Sequence, residues 1–242
     1  TKQFSLCCNV RIIWGGDNTI NQIRKNMLPP RAFDVSFADR YSICAINAKS
    51  YINYDKTDKI ANNFYNDTYL FDQNSCTSPH LVIWIGSKEE VEMSKNKFWT
   101  RLYNLVKIRY QLQSISAIDK LATFYDHAIG SASINIEDKV DNLIFRVNLS
   151  ELNKNIDLYK SNSGYFCEYH ASSLKDLTKI VNNKYQTLSY FGFEKEELRI
   201  IIEKLSLSGI DRIVPIGRTM DFSAIWDGYN FIETLSRTIE IA

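Results

Sequence analysis

Apolar runs of strand length alternate with amphipathic stretches of helix length along nearly the whole chain. Leu81-Val82-Ile83-Trp84-Ile85-Gly86 is the clearest strand, apolar without interruption and therefore suited to burial on both faces. Before it, residues 56–71 set Ile60, Ala61, Phe64, Thr68 and Phe71 on one helical stripe. After it, Ser87 and Glu90 have capping-box spacing and open a long amphipathic segment carrying Phe98, Leu102, Leu105 and Leu112. The pattern also predicts strands over 10–14, 42–47, 143–148, 164–170, 186–192 and 212–216. Helices are predicted over 18–26, 117–129, 173–183, 194–207 and 227–239, with Gly130 and Gly209 as stops and Asp227 as the last N-cap. Strands alternating with helices of this length imply an α/β fold, a mostly parallel sheet with helices on both faces.

Composition removes several function classes. A net charge of +1 over 242 residues leaves no broad basic face for nucleic acid and no polybasic membrane patch. The longest apolar runs fall far short of a bilayer span, and the chain opens without a signal-peptide pattern. Five cysteines, with no CxxC, point to reduced thiols and a cytoplasmic setting. His80, His127 and His170 lack metal-ligand spacing, so no metal site is expected.

Two stretches bear on chemistry. Residues 71–80, FDQNSCTSPH, form a polar loop between a helix and a core strand, a place that fixes a side chain while leaving it open to a cleft. Cys76 at its centre is either a nucleophile towards activated acyl groups or a small packing residue. Gly15-Gly16 joins a strand to a helix. Free backbone N–H groups and the helix dipole there suit a phosphate or nucleotide edge, and a plain tight turn is the other reading.

Read together, these segments resemble one family. FDQNSCTSPH resembles the active-cysteine loop of the LuxC-type acyl-CoA reductases of bacterial luminescence, relatives of the aldehyde dehydrogenases. VRIIWGGDNTI (10–20), SFADRYS (36–42) and GIDRIVPIGRTMDFSAIWDGYN (209–230) look like signatures of the same family in the same order. NNKYQTLSYFG (182–192) is similar to the helix-to-strand step before the last sheet strand of aldehyde dehydrogenases. Because family members are much longer, the chain looks like the C-terminal half. Residues 1–35 would be the tail of a nucleotide-binding domain and 36–242 the cysteine-containing catalytic domain.

The resemblance implies Cys76 as the nucleophile, acylated by long-chain acyl-CoA or by a partner, with NADPH releasing fatty aldehyde for bioluminescence. It further implies a homo-oligomer working with acyl-protein synthetase and acyl-transferase subunits. Asn74, or a backbone N–H at Cys76, is expected to hold the developing oxyanion, with a turn role as the alternative for Asn74. His80 is expected either to activate the thiol or to act as a structural hydrogen-bonder. By the same resemblance Gly15 and Gly16 fall where aldehyde dehydrogenases have the glycine-containing turn beside the nicotinamide, and they are expected to lie next to the cofactor. Where acid-forming aldehyde dehydrogenases carry a water-activating glutamate, this chain reads Phe37-Ala38-Asp39-Arg40, which suits a reductase because water would drain its thioester. Oxidation of aldehyde with Asp39 as base, and a non-catalytic assembly role, are the competing readings.

Overall fold

The computed structural model describes residues 1–131, 133–205 and 209–241. They fall into two units, one made of Thr1–Arg40 with the segment from Phe222 on, the other of Tyr41–Asp221. This differs from the division expected at residue 35. The first unit runs to Arg40 because its second strand lies at 33–37, and it includes the C-terminal segment because Trp226 packs on Val35 and Phe37.

In the first unit, helix α1 (Lys2–Cys7) precedes strand β1 (Val10–Trp14), helix α2 (Asp17–Arg24) and strand β2 (Phe33–Phe37). The two strands pair in parallel, Val10 opposite Phe33 and Trp14 opposite Phe37. β2 was not expected, although Phe33, Val35 and Phe37 keep the two-residue period of a half-buried strand. Arg11 grips Asp34 with two parallel bonds of 2.6 and 2.9 Å, and this pairing holds the Asp34 carboxyl below its ordinary value.

The second unit carries a seven-stranded sheet: β3 (Tyr41–Asn47), β4 (Pro79–Ile85), β5 (Ile134–Ile136), β6 (Phe145–Leu149), β7 (Tyr165–Ala171), β8 (Tyr185–Phe191) and β9 (Arg212–Pro215). Their order is β5-β6-β7-β4-β3-β8-β9, parallel except for β5 against β6. β3 and β4 lie in the middle and are buried nearly end to end, as their apolar runs require. Helices α3 (Ala48–Ile52), α4 (Thr57–Thr68) and α5 (Lys88–Arg109) cover one face, where Phe64, Phe98 and Trp99 pack on Val82, Trp84 and Phe166. α5 begins with the expected capping box, the Ser87 hydroxyl accepting from the Glu90 amide and the Glu90 carboxylate from the Ser87 amide. The other face is closed by Leu174, Leu177, Ile180 and Leu198, with Phe124 from α6 (Ser114–Gly130) packed beside them. A carboxylate is sealed into this unit: Glu168 accepts from the indoles of Trp84 and Trp99 at 2.8 and 3.0 Å and pairs with Lys95 and Arg146. No helix among the described residues is long and apolar enough to cross a membrane.

Two predicted helices are corrected. Over 173–183 only a 3₁₀ segment forms, Leu174–Lys179; Leu174, Leu177 and Ile180 repeat every third residue, which is its period rather than that of an α-helix. In place of a helix over 227–239, strands β10 (Ile225–Trp226) and β11 (Tyr229–Asn230) make a hairpin, followed by the short helix α8 (Phe231–Thr234). Asp227 is not an N-cap. Asp227 and Gly228 both have positive φ, 52° and 81°, forming the two-residue turn that an Asp-Gly pair favours, and Asn230 caps α8 instead. Helix α7 (Lys195–Leu205) matches the prediction over 194–207 as far as Leu205; the end expected at Leu207 and the Ser206-Leu207-Ser208 step lie outside the described residues.

Candidate active site

The cysteine loop is built around a glutamine that the sequence reading did not single out. After α4 a 3₁₀ turn, Tyr69–Phe71, leads into Asp72 and Gln73, both with positive φ (51° and 59°). Two consecutive non-glycine residues in this region are strained and need outside support. Gln73 supplies it. Its fully buried side chain donates from Nε2 to the carbonyls of Pro79 (3.0 Å) and Tyr165 (2.9 Å) and accepts at Oε1 from the amides of Gly164 (2.9 Å) and Tyr165 (3.1 Å). Every hydrogen-bonding position of the amide is filled, so both ends of the loop are tied to β4 and β7. Gly164 allows this approach: its φ is +91°, and a Cβ there would collide with the Leu143 carbonyl and the Tyr69 hydroxyl.

Residues 74–78 arch out from that anchor. The Cys76 carbonyl accepts from the Ser42 hydroxyl on β3 (2.7 Å), and the same oxygen of Ser42 accepts from the Thr187 amide (3.2 Å). Ser78 bonds back to the Asp67 carbonyl at 2.7 Å. Cys76 itself is half-buried and forms no disulfide. Cys44 and Cys167 are buried inside the sheet, and burial pushes each thiol up to about 12. Asn74 is exposed beside Cys76; its carbonyl oxygen accepts from the Asn162 amide at 2.5 Å, which leaves its own NH₂ as the group able to donate. His80 lies on β4, 5% exposed and stacked on Tyr41 with ring centres 5.7 Å apart. Burial, with the nearby Lys160 cation, pushes its pKa down to about 3, and a neutral, enclosed imidazole fits a packing role better than that of a base.

A second loop reaches the cysteine loop. Buried Asp67, on α4, accepts from the amides of Gly217 (2.6 Å) and Thr219 (3.2 Å). Arg212 donates to the carbonyls of Thr219 (2.8 Å) and Asp221 (2.7 Å). With both edges held, the segment sets the Met220 sulfur against the Thr77 hydroxyl at 3.1 Å, one residue from Cys76. Burial pulls the Arg212 pKa down, while the anionic forms of Asp221, Cys76 and Asp67 pull it back up. Ser42, Asp67, Gln73 and Arg212 were not foreseen: the first three act on partners distant in the chain, and Arg212 acts within an irregular loop that has no periodic signal.

Gly15 and Gly16 belong to the other unit. The Gly15 amide donates to the Phe37 carbonyl (3.1 Å), and Gly16 opens α2 with extended backbone (φ −64°, ψ 161°). A Cβ would lie 3.1 Å from Thr19 at Gly15 and 3.2 Å from the Asp39 carboxylate at Gly16, so a larger residue here would need either side chain to give by a few tenths of an ångström. Asp17 and Asp39 put two carboxylates beside this turn, the Asp39 amide donating to Asp17 at 3.3 Å. That charge repels a pyrophosphate and suits the uncharged end of a dinucleotide, a ribose hydroxyl or a carboxamide. Among the described residues no group of His, Cys, Asp and Glu side chains forms a metal site.

The fold is that of the aldehyde dehydrogenases. The chain superposes with a TM-score of 0.59 at 6% identity on the Δ-pyrroline-5-carboxylate dehydrogenase of Mycobacterium tuberculosis, over 88% of this chain and 43% of that one. Against betaine aldehyde dehydrogenase of Staphylococcus aureus the figures are 0.56, 11%, 88% and 45%. For an NAD-dependent benzaldehyde dehydrogenase of Corynebacterium glutamicum they are 0.56, 9%, 95% and 51%. The chain therefore spans about half the length of these structures. Among curated proteins no sequence matches it. A family model, that of the acyl-CoA reductase (LuxC) family, matches residues 1–238, nearly the entire chain, and on that match the chain belongs to this family.

Proposed function

We propose that this chain carries the acyl-accepting part of a long-chain acyl-CoA reductase, and that Cys76 is its nucleophile. The observation that carries the reading is the contrast among the thiols of the second unit: Cys76 stands half-buried on a braced loop while Cys44 and Cys167 are sealed in the sheet. The Cys76 thiolate attacks the acyl carbonyl carbon of a fatty acyl-CoA, or of an acyl group delivered by a partner. The bond to the departing sulfur breaks, and that sulfur leaves as a thiolate that takes a proton from solvent. The Asn74 NH₂ or the Cys76 backbone amide stabilises the oxyanion that develops at the carbonyl oxygen. A bound nicotinamide nucleotide, NADPH in this proposal, supplies the hydride that converts the acyl-cysteine to fatty aldehyde and frees the thiolate. Structures of two neighbours, the M. tuberculosis dehydrogenase and one from Thermus, contain NAD, which supports the cofactor class and leaves NADPH as our choice. No proton transfer is assigned to His80.

On the same reading the aldehyde feeds bacterial bioluminescence, in the cytoplasm, from a homo-oligomer working with acyl-protein synthetase and acyl-transferase subunits. The test is incubation of the intact protein with labelled long-chain acyl-CoA. Label is expected on wild type and on Cys44→Ala and to be missing from Cys76→Ala; full labelling of Cys76→Ala would show that another residue is the acceptor.

A further inference from the structure

Asp67 touches both loops of the candidate site through different atoms. Its backbone carbonyl accepts from the Ser78 hydroxyl in the cysteine loop (2.7 Å), and its carboxylate accepts from the amides of Gly217 and Thr219 (2.6 and 3.2 Å). The side chain is 1% exposed. The approach at Gly217 is tight: φ is +96°, and a Cβ would lie 2.6 Å from Asn63. Met220, in the segment so held, rests on Thr77 beside the nucleophile. We propose that Asp67 is a positioning residue: its carboxylate sets the register of the 217–221 loop against the Cys76 loop, and that register aligns the acyl thioester for attack. The inference rests on the functional reading above.

Burial raises the Asp67 pKa from 3.8 to about 6, opposed by the two amides; the charged groups facing it are Asp221 and Arg212, and the titratable Cys44 thiol feels its charge. As a carboxylate, Asp67 accepts from both amides. Once protonated, one oxygen carries the proton and becomes a much poorer acceptor, so the N–H opposite it keeps only a weakened bond. The loop is therefore held above pH 6 and loosened as pH falls through 6. Stability runs the other way. The folded chain binds this proton more tightly than the unfolded chain, so the group's stabilising contribution is full below pH 3.8 and is lost as pH rises through 6. A purely structural role would follow the second trend, and a positioning role the first.

The experiment compares, between pH 5 and 8 in the intact protein, the rate at which Cys76 is acylated by labelled acyl-CoA with its rate of alkylation by iodoacetamide. Alkylation corrects for the thiolate fraction. In wild type the ratio of the two rates is expected to rise at least fivefold through pH 6. In Asp67→Asn, which presents one acceptor and one donor at every pH, the ratio is expected to stay low and flat. A step retained unchanged in Asp67→Asn overturns this inference alone; a wild type that takes no label overturns the functional reading and this inference with it. Hydrogen exchange at the Gly217 and Thr219 amides of wild type gives a second readout that needs no variant to fold. Loss of their protection below pH 6 is expected, and unchanged protection overturns the proposal.

Discussion

Cys44 and Cys76 lie in the same unit and differ in almost every physical respect. Cys44 sits in the middle of β3, fully buried, paired across the sheet with Val82 and Ser189. Its thiol is raised to about 12, which keeps it neutral and unreactive. Cys76 stands on a loop that β4 and β7 hold through Gln73, and it is half-buried. The rigidity of the loop comes from the same sheet that hides the other thiol. A parallel sheet buries what lies along its strands and can present only what lies in the connections, so one chemical group acquires two fates from backbone placement alone.

The most forceful way to break this contrast is to exchange the fates. Cys76→Ala is expected to lower acyl transfer on the order of 10⁴-fold or more, as loss of a nucleophile does elsewhere, while Cys44→Ala changes transfer by less than about twofold. Comparable losses in both variants would erase the distinction. Next comes the anchor. Gln73→Ala strands two buried amides and two buried carbonyls and should lower unfolding free energy by about 3 kcal/mol, read from urea denaturation, with Cys76 acylation falling as the loop slackens. A loss in acylation without one in stability would mean that Gln73 meets the substrate directly.

The third test concerns pH. Because the Cys44 thiol ionises more readily in the unfolded chain, near 9.0, than in the fold, near 12, its contribution to stability is full below pH 9 and declines as pH rises towards 12. The stability advantage of wild type over Cys44→Ala should thus shrink above pH 9 by up to about 1.4 kcal/mol per pH unit; an advantage constant to pH 11 would show that the thiol is less enclosed than β3 implies. Smallest of all is the outer brace of the cysteine loop, the Tyr110 hydroxyl donating to Asp72 at 2.7 Å in an exposed position. Removing it as Tyr110→Phe should cost about 1 kcal/mol or less, measured by thermal melting.

Sheet strands, helix stripes, the Ser87 capping box and the position of Cys76 at a helix-to-strand loop were legible because each rests on residues adjacent or one turn apart. Misreadings occurred where a local signal was outweighed. Asp227-Gly228 has the residues of a two-residue hairpin turn, yet the apolar pattern beyond it suggested a helix, and the pairing of Ile225 with Asn230 decided the matter. Leu174, Leu177 and Ile180 looked helical until their three-residue spacing proved to be that of a 3₁₀ turn.

Sequence by itself settled that strands would alternate with helices, that the central strands would be apolar throughout, and that a polar loop would carry a cysteine. Those properties follow from periodicity and from backbone geometry over short spans, which the order of residues fixes directly. Only the tertiary structure decided that Gln73 reaches Tyr165, that Asp67 holds the amides of Gly217 and Thr219, and that Cys44 and Cys167 are closed away. The Gln73 and Asp67 contacts join residues 92 to 152 positions apart. Their energy exists only once the sheet has brought the partners together and excluded water from between them.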